Sequence, residues 1–298
     1  MKTLKISKLL FLFFTFPGAL FAQEQWGFNS SFLASTGNYI DSQILDNQRS
    51  LGVRVSAEKN QLWGITAGIQ TNLTNTAPIT QTSHQTQDNL LISAYAYSPS
   101  QAGRWTLQLD AHKLNNTDTT SNTRRVQVLA PKVTWQSYSQ PLRASASYAK
   151  SNYLNIDTIN QFSPTISYGF NNAKDWLEVR RYFIKGLTPS EAYGKTGTNA
   201  TDIQLTHLFH PTTTLYSPTS VTLGLERGNR IYAVDMVSQV VYNLPMLNYG
   251  GESLSATWLI ENKSSLTLQL STTRYHSETF TAHNFKLNTL STQFMKNW

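Results

Sequence analysis

Residues 61–73, QLWGITAGIQTNL, set Trp63, Ile65, Ala67, Ile69, Thr71 and Leu73 on odd positions and Gly64, Thr66, Gly68, Gln70 and Asn72 on even ones. A period of two held this long is a strand with one apolar and one polar face. The design returns in WTLQLDAH (105–112), LRASASYA (142–149), IQLTHLF (203–209), VTLGLE (221–226), SLSATWLI (253–260) and LTLQLST (266–272). Helical spacing is sustained nowhere after the first residues, so the chain reads as all-β.

Short and long connectors alternate between these strands. Turns rich in Asn, Ser, Pro and Gly fall at 58–61, 98–103, 137–141, 171–175 and 261–265, and a longer one at 210–220 belongs with them. Polar segments around 38–47, 74–87, 114–124, 151–160, 186–199, 228–250 and 276–284 lie between. Six turns and seven loops join fourteen antiparallel strands, an even number that brings both termini to one end, as in a transmembrane barrel with short periplasmic turns and long extracellular loops. Residues 228–250 hold enough β-formers for a further hairpin, which gives sixteen strands, or for a loop folded into the lumen. Twelve follow if a less regular pair is loop.

The chain begins with Lys2, Lys5 and Lys8, an apolar run from Leu9 to Phe16, and a small residue at Ala22. That is the layout of a cleavable signal peptide over 1–22, leaving 23–298 as one barrel domain. The apolar run falls short of the ~20 residues of a spanning helix, so a membrane crossing has to be made by strands. The signal carries three Lys and no Asp or Glu, so its loss lowers the formal net charge from +7 to about +4, and no dense Lys/Arg cluster remains to suggest nucleic acid. Cysteine is absent, and only 14% of residues are charged. This suits a wet lumen inside an apolar band. Trp26, Trp105, Trp135, Trp176, Tyr182, Tyr275 and Trp298 stand near strand ends, where interfacial girdles form.

Alternation turns Arg54, Asp110, Lys132, Arg143, Glu178, Arg180, Asp202 and Glu226 inward, because Arg or Lys facing lipid near the midplane costs roughly 2–4 kcal/mol. Such residues either line a pore and set its ion preference or cross-link a closed interior. In each Arg pair, 124–125 and 180–181, one side chain faces the lumen and one the headgroups. Catalytic groups are not evident. His84, His112, His207, His210, His276 and His283 stand in no Ser/His/Asn context, and neither G-x-S-x-G nor H-E-x-x-H occurs. His207 and His210 point to opposite faces of a strand and share no metal. The expectation is no enzyme, no metal and no cofactor.

With the signal peptide, the hairpin alternation and the closing LNTLSTQFMKNW (287–298), the chain resembles Gram-negative outer-membrane β-barrels. Barrels of that class end in an aromatic residue with apolar residues at alternate positions before it. Trp298, Phe294 and Leu290 fit, while Lys296 departs. The resemblance implies outer-membrane lipid and lipopolysaccharide as surroundings, and recognition of the last strand by the barrel assembly machinery. LERGNRIYAVD (225–235) is similar to the corresponding region of YaiO-type barrels. The expected function is a porin-like channel for passive diffusion of small polar or weakly anionic solutes, as a monomer or small oligomer. The alternative is a closed structural or surface-interaction barrel that contacts envelope polysaccharide or other partners.

Overall fold

The computed structural model describes residues 26–60, 62–76, 84–117, 122–154, 158–189, 194–210, 217–243, 246–261, 263–277 and 283–298. The signal segment expected at 1–22 lies outside the described residues. Eleven strands come first: β1 (Trp26–Ile40), β2 (Leu45–Lys59), β3 (Trp63–Thr76), β4 (His84–Pro99), β5 (Gly103–Asn116), β6 (Arg125–Ser137), β7 (Leu142–Tyr153), β8 (Ile159–Phe170), β9 (Asp175–Lys185), β10 (Gly197–Leu208) and β11 (Ser220–Arg230). Two short strands, β12 (Val234–Asp235) and β13 (Val240–Val241), then form a separate hairpin. The chain returns to the wall as β14 (Leu247–Glu261), β15 (Ser264–Ser277) and β16 (His283–Asn297).

The wall is a closed barrel of β1–β11 and β14–β16, fourteen strands, each antiparallel to its neighbours. It closes where β16 pairs with β1 from Asn297↔Asn29 to Lys286↔Ile40. Beyond that register the Trp298 N–H donates to Phe28 O at 2.9 Å. No edge strand is left unpaired, as a closed sheet in lipid requires.

Outward side chains include Ile65, Ile69, Ile92, Leu107, Ile166 and Leu270, each about half exposed. A belt of exposed branched apolar residues around a closed sheet marks a transmembrane barrel. Outward aromatics gather at the end that carries the termini. Trp26 meets Trp63 edge-on at 5.3 Å, Trp105 pairs with Trp135 across β5 and β6, and Trp298 is exposed. Tyr182 and Tyr275 are exceptions to the girdle expectation, being buried on the inner face. Tyr182 shares the parity of inward Arg180, and Tyr275 stacks on Phe285 at 5.4 Å. Trp176 has the same inward parity, and its indole N–H donates to Ala173 O at 3.0 Å.

The loops are shorter than the sequence suggests because the strands run on past their alternating stretches. The loop expected around 38–47 shrinks to 41–44, between Ile40 and Leu45. Wall strands of 11–16 residues reach or exceed the ~9–11 needed to span a bilayer. The wall is lowest over β7–β11, with strands of 11 or 12 residues. Arg124 falls in the 3-10 turn Asn122–Arg124. The strand period therefore does not govern it, and only Arg125 follows the expected alternation, facing outward.

The segment 228–250 supplies the one long excursion of the described chain, and it folds inward. Gly228 (φ +104°) and Gly250 (φ +145°) flank the departure from the wall. A Cβ on Gly228 would stand 2.6 Å from Asn199 O, so only glycine fits this left-handed bend against β10. The extra hairpin weighed from sequence exists, but inside the barrel, and the wall keeps fourteen strands.

Candidate functional site: an occupied lumen with a polar cavity

The loop-end inner face of β5–β9 is apolar. Leu114, Val126, Val128, Ala130, Ala149, Tyr153, Ile159 and Ile184 are buried there against Ile231, Tyr232, Ala233, Val234, Met236 and Val241 of the inner segment. Tyr232 turns into the lumen with φ +53°, and its ring packs on Tyr153 at 4.9 Å. Period-two reasoning alone misses this contact. Its signal is VQVLA (126–130), where Val126, Val128 and Ala130 are apolar on the inner face and Leu129 on the outer, as in a strand covered on both sides.

Polar groups complete the anchoring. The Gln161 amide acts as a surrogate strand partner, donating to Val234 O at 2.6 Å and accepting from Val234 N at 2.9 Å. Arg54 donates to Ser238 O at 2.8 Å and Gln239 Oε1 at 3.4 Å, and Gln239 Nε2 donates to Asp110 at 3.4 Å. Asn243 Nδ2 donates to Gln87 Oε1 and to Thr123 O, both at 3.0 Å. Polar anchors on five surrounding elements, β2, β4, β5, β8 and the turn at Thr123, hold the segment as a plug.

All eight side chains assigned inward do face the lumen, and several of them meet in one charged network. Arg143 donates to Glu178 at 2.7 Å, and Glu178 also takes Arg180 at 2.6 Å and the Ser167 hydroxyl at 2.7 Å. Arg180 reaches Asp235 of the plug at 3.0 Å, Tyr182 Oη at 3.1 Å and Asp202 at 3.8 Å. Lys132 lies in electrostatic reach of Arg180, Arg143, Asp235 and Glu178. Glu226 takes Arg230 at 2.7 Å. Two members escaped the sequence reading, Arg230 and Asp235, because both lie at or beyond the point where β11 leaves its regular alternation.

Burial works to raise the Asp235 carboxyl, but Arg180, the Val237 N–H and Arg230 outweigh it and hold it below the ordinary carboxylate value. Burial pushes the Tyr242 phenol up to about 12, and the Arg230 guanidinium lies 4.1 Å above that ring. Arg54, Lys132, Arg143, Arg180 and Arg230 thus face Asp110, Glu178, Asp202, Glu226 and Asp235. The network carries no net sign.

Opposite the plug's apolar seat, the lumen keeps a cavity of about 610 Å³. Its wall is hydroxyl and amide, with Ser35, Ser50, Gln70, Asn72, Gln269 and Thr289 among its residues, and the charged network forms the facing side. It runs from Met246, Tyr275 and Leu287 near the loop end to Thr267 and Gln293 near the other end. At the loop end a second apolar cluster of Tyr39, Leu45, Met246, Tyr275, Phe285 and Leu287 narrows it.

Among the described residues the histidines do not assemble. His207 pairs with Asp175 at 2.6 Å, His210 lies beyond the end of β10, and His112 is buried on the inner wall. Among the described residues no group of three His, Asp or Glu side chains could hold a metal.

No family model matches the chain, and no curated protein matches it. The likeness to YaiO-type barrels therefore rests on residues 225–235 alone. Solved structures share the architecture. The CymD monoaromatic hydrocarbon channel aligns with a TM-score of 0.58 at 10% identity, covering 93% of this chain and 90% of that one. The TodX deltaS2S3 mutant monoaromatic hydrocarbon channel aligns at 0.54 and 9% identity, covering 92% and 91%. The TodX deltaS2 mutant aligns at 0.52 and 8% identity, covering 92% and 90%. Over nearly its whole length, the chain has the closed antiparallel barrel fold of these channels.

Proposed function

We propose that the protein is an outer-membrane channel for passive diffusion of small polar solutes, held closed in this conformation by its own segment 231–243. The carrying observation is the hydroxyl- and amide-lined cavity that follows one wall along most of the barrel while the plug occupies the other. Groups that donate and accept hydrogen bonds without net charge replace the hydration of neutral polyols and small zwitterions. Because each inward cation faces a carboxylate, preference for anions is weak. Of the eight inward residues, Arg54, Asp110 and Arg180 fix the plug, and Asp202 and Glu226 border the cavity.

In the outer membrane the termini end is periplasmic, and the plug lies near the extracellular mouth. The last strand, with Trp298, Phe294 and Leu290 outward, presents the residues the assembly machinery reads. The second reading, a closed structural or surface-interaction barrel, is favoured by one observation, the two apolar clusters that narrow the loop end.

Single-channel recording in planar bilayers separates them. The chain lacking residues 1–22 is compared with a variant whose residues 233–241 are replaced by a Gly/Ser linker of equal length. Rare openings in the first and a steady, larger conductance in the second support the gated channel. Absence of current from both folded proteins overturns it.

A further inference from the structure

We propose that the outward face of β5–β9 at the loop end docks a phosphate-bearing, multiply acylated glycolipid of the surrounding leaflet, lipid A in chemical terms. The inference rests on the outer-membrane location proposed above. Pairing aligns Lys150 on β7 with Asn160 on β8, and Asn160 with Lys185 on β9, in one row across three strands. Two residues nearer the membrane centre, the next outward row is Tyr148, Phe162 and Phe183. All three rings are exposed, and Phe162 stacks on Phe183 at 6.4 Å. Arg181 adds a guanidinium 5.6 Å from the Phe183 ring, steadied by Thr201 Oγ1 and Asn199 Oδ1, each at 2.9 Å. Lys113 and Arg125 continue the positive surface over β5 and β6, both exposed.

Charge balance distinguishes this sector from the β11–β15 part of the rim. On β11, β14 and β15 the outward cations Arg227 and Arg274 are both met by Glu252, at 3.7 and 2.6 Å. Over β5–β9 no outward acid occurs among the described residues of the loop-end half. Asp88, outward on the adjacent β4, accepts from Thr71 Oγ1 at 2.7 Å. A row of cations and an amide above a row of rings matches a lipid whose phosphates sit above its acyl chains. A free anion has no use for the aromatic row.

Native mass spectrometry on the folded full-length mature chain in neutral detergent tests this with lipid A, its dephosphorylated form and inorganic phosphate. Each basic side chain near an anionic surface contributes roughly fivefold in affinity, so K150Q/R181Q/K185Q should bind lipid A on the order of a hundredfold more weakly. The control R49Q/K286Q, on the opposite side of the rim, should bind as the parent does. Equal binding of the dephosphorylated lipid, undiminished binding by the triple variant, or complete displacement by equimolar inorganic phosphate overturns the docking site. The triple variant should conduct as the parent does in a zwitterionic bilayer, so failure of lipid binding leaves the channel reading standing and failure of conductance is read separately.

Discussion

Asp235→Asn removes the charge that ties the plug to the wall while preserving its shape. In the parent the carboxylate accepts from Arg180 at 3.0 Å and from the backbone N–H of Val237 at 2.9 Å. The variant does not strand Arg180, which keeps Glu178 at 2.6 Å and Asp202 at 3.8 Å. The loss is therefore that of a charged hydrogen bond, about 2 kcal/mol, rather than the roughly 3–5 kcal/mol of an orphaned buried charge. At 1.4 kcal/mol per tenfold, the docked-to-released ratio falls about 30-fold. Gln161, Arg54 and the apolar seat remain, so the plug stays mainly docked and opens more often. Single-channel recordings should show open probability rising by that order, with the open conductance matching the Gly/Ser plug replacement. If D235N gates like the parent while the replacement opens the pore, the ion pair is not the latch. If neither changes the current, the plug is not what closes the lumen.

Acid should act on the same contact late. The depressed Asp235 carboxyl contributes stability that is fully present above the ordinary carboxylate value near 3.9 and is lost only as pH falls through its lower, folded value. Open probability should be flat from pH 7 to 5, and a rise within that window would assign gating to another group. Ile69→Arg places a cation in the middle of the outward belt and should cost about 2–4 kcal/mol in folding titrations into vesicles. Gln70→Ala, facing the wide polar cavity, should cost under about 0.5 kcal/mol. In a salt gradient the parent should give a reversal potential near zero, and Arg143→Gln, which removes one of the two cations paired with Glu178, should move it toward cation preference. Strong anion preference in the parent would contradict the balanced network.

Strand number and face assignment were legible because lipid and lumen impose opposite demands on neighbouring residues. That contrast is sharp at Ile65/Thr66 or Leu109/Asp110. It fades where the inner face meets protein instead of water, and there the reading failed. Val126 and Val128 look like ordinary strand formers, and although the run around them signals a covered inner face, nothing local names Ile231 and Val234 as the cover. Tyr182 and Tyr275 were misplaced by their position near strand ends, although the parity of inward Arg180 already turns Tyr182 inward. The inward charges were identifiable one by one. Their mutual pairing was not, since Arg180 and Asp235 are joined by a fold-back that only the closed barrel brings about. Loop lengths were overestimated because polar residues such as Asn47 and Thr74 continue the ladder past the apolar belt.

The double-sided apolar run in β6 also matters before there is a barrel. Val126–Ala130 is the sort of short, β-prone, uncharged window that associates with copies of itself when unfolded. An exported chain carries that window through water with neither lipid nor plug to cover it. Arg124 and Arg125 stand immediately before it and Lys132 just after, and repulsion between like charges at both flanks opposes stacking of such segments. The cations that later divide among turn, rim and lumen would thus first keep the chain soluble on its way to the membrane.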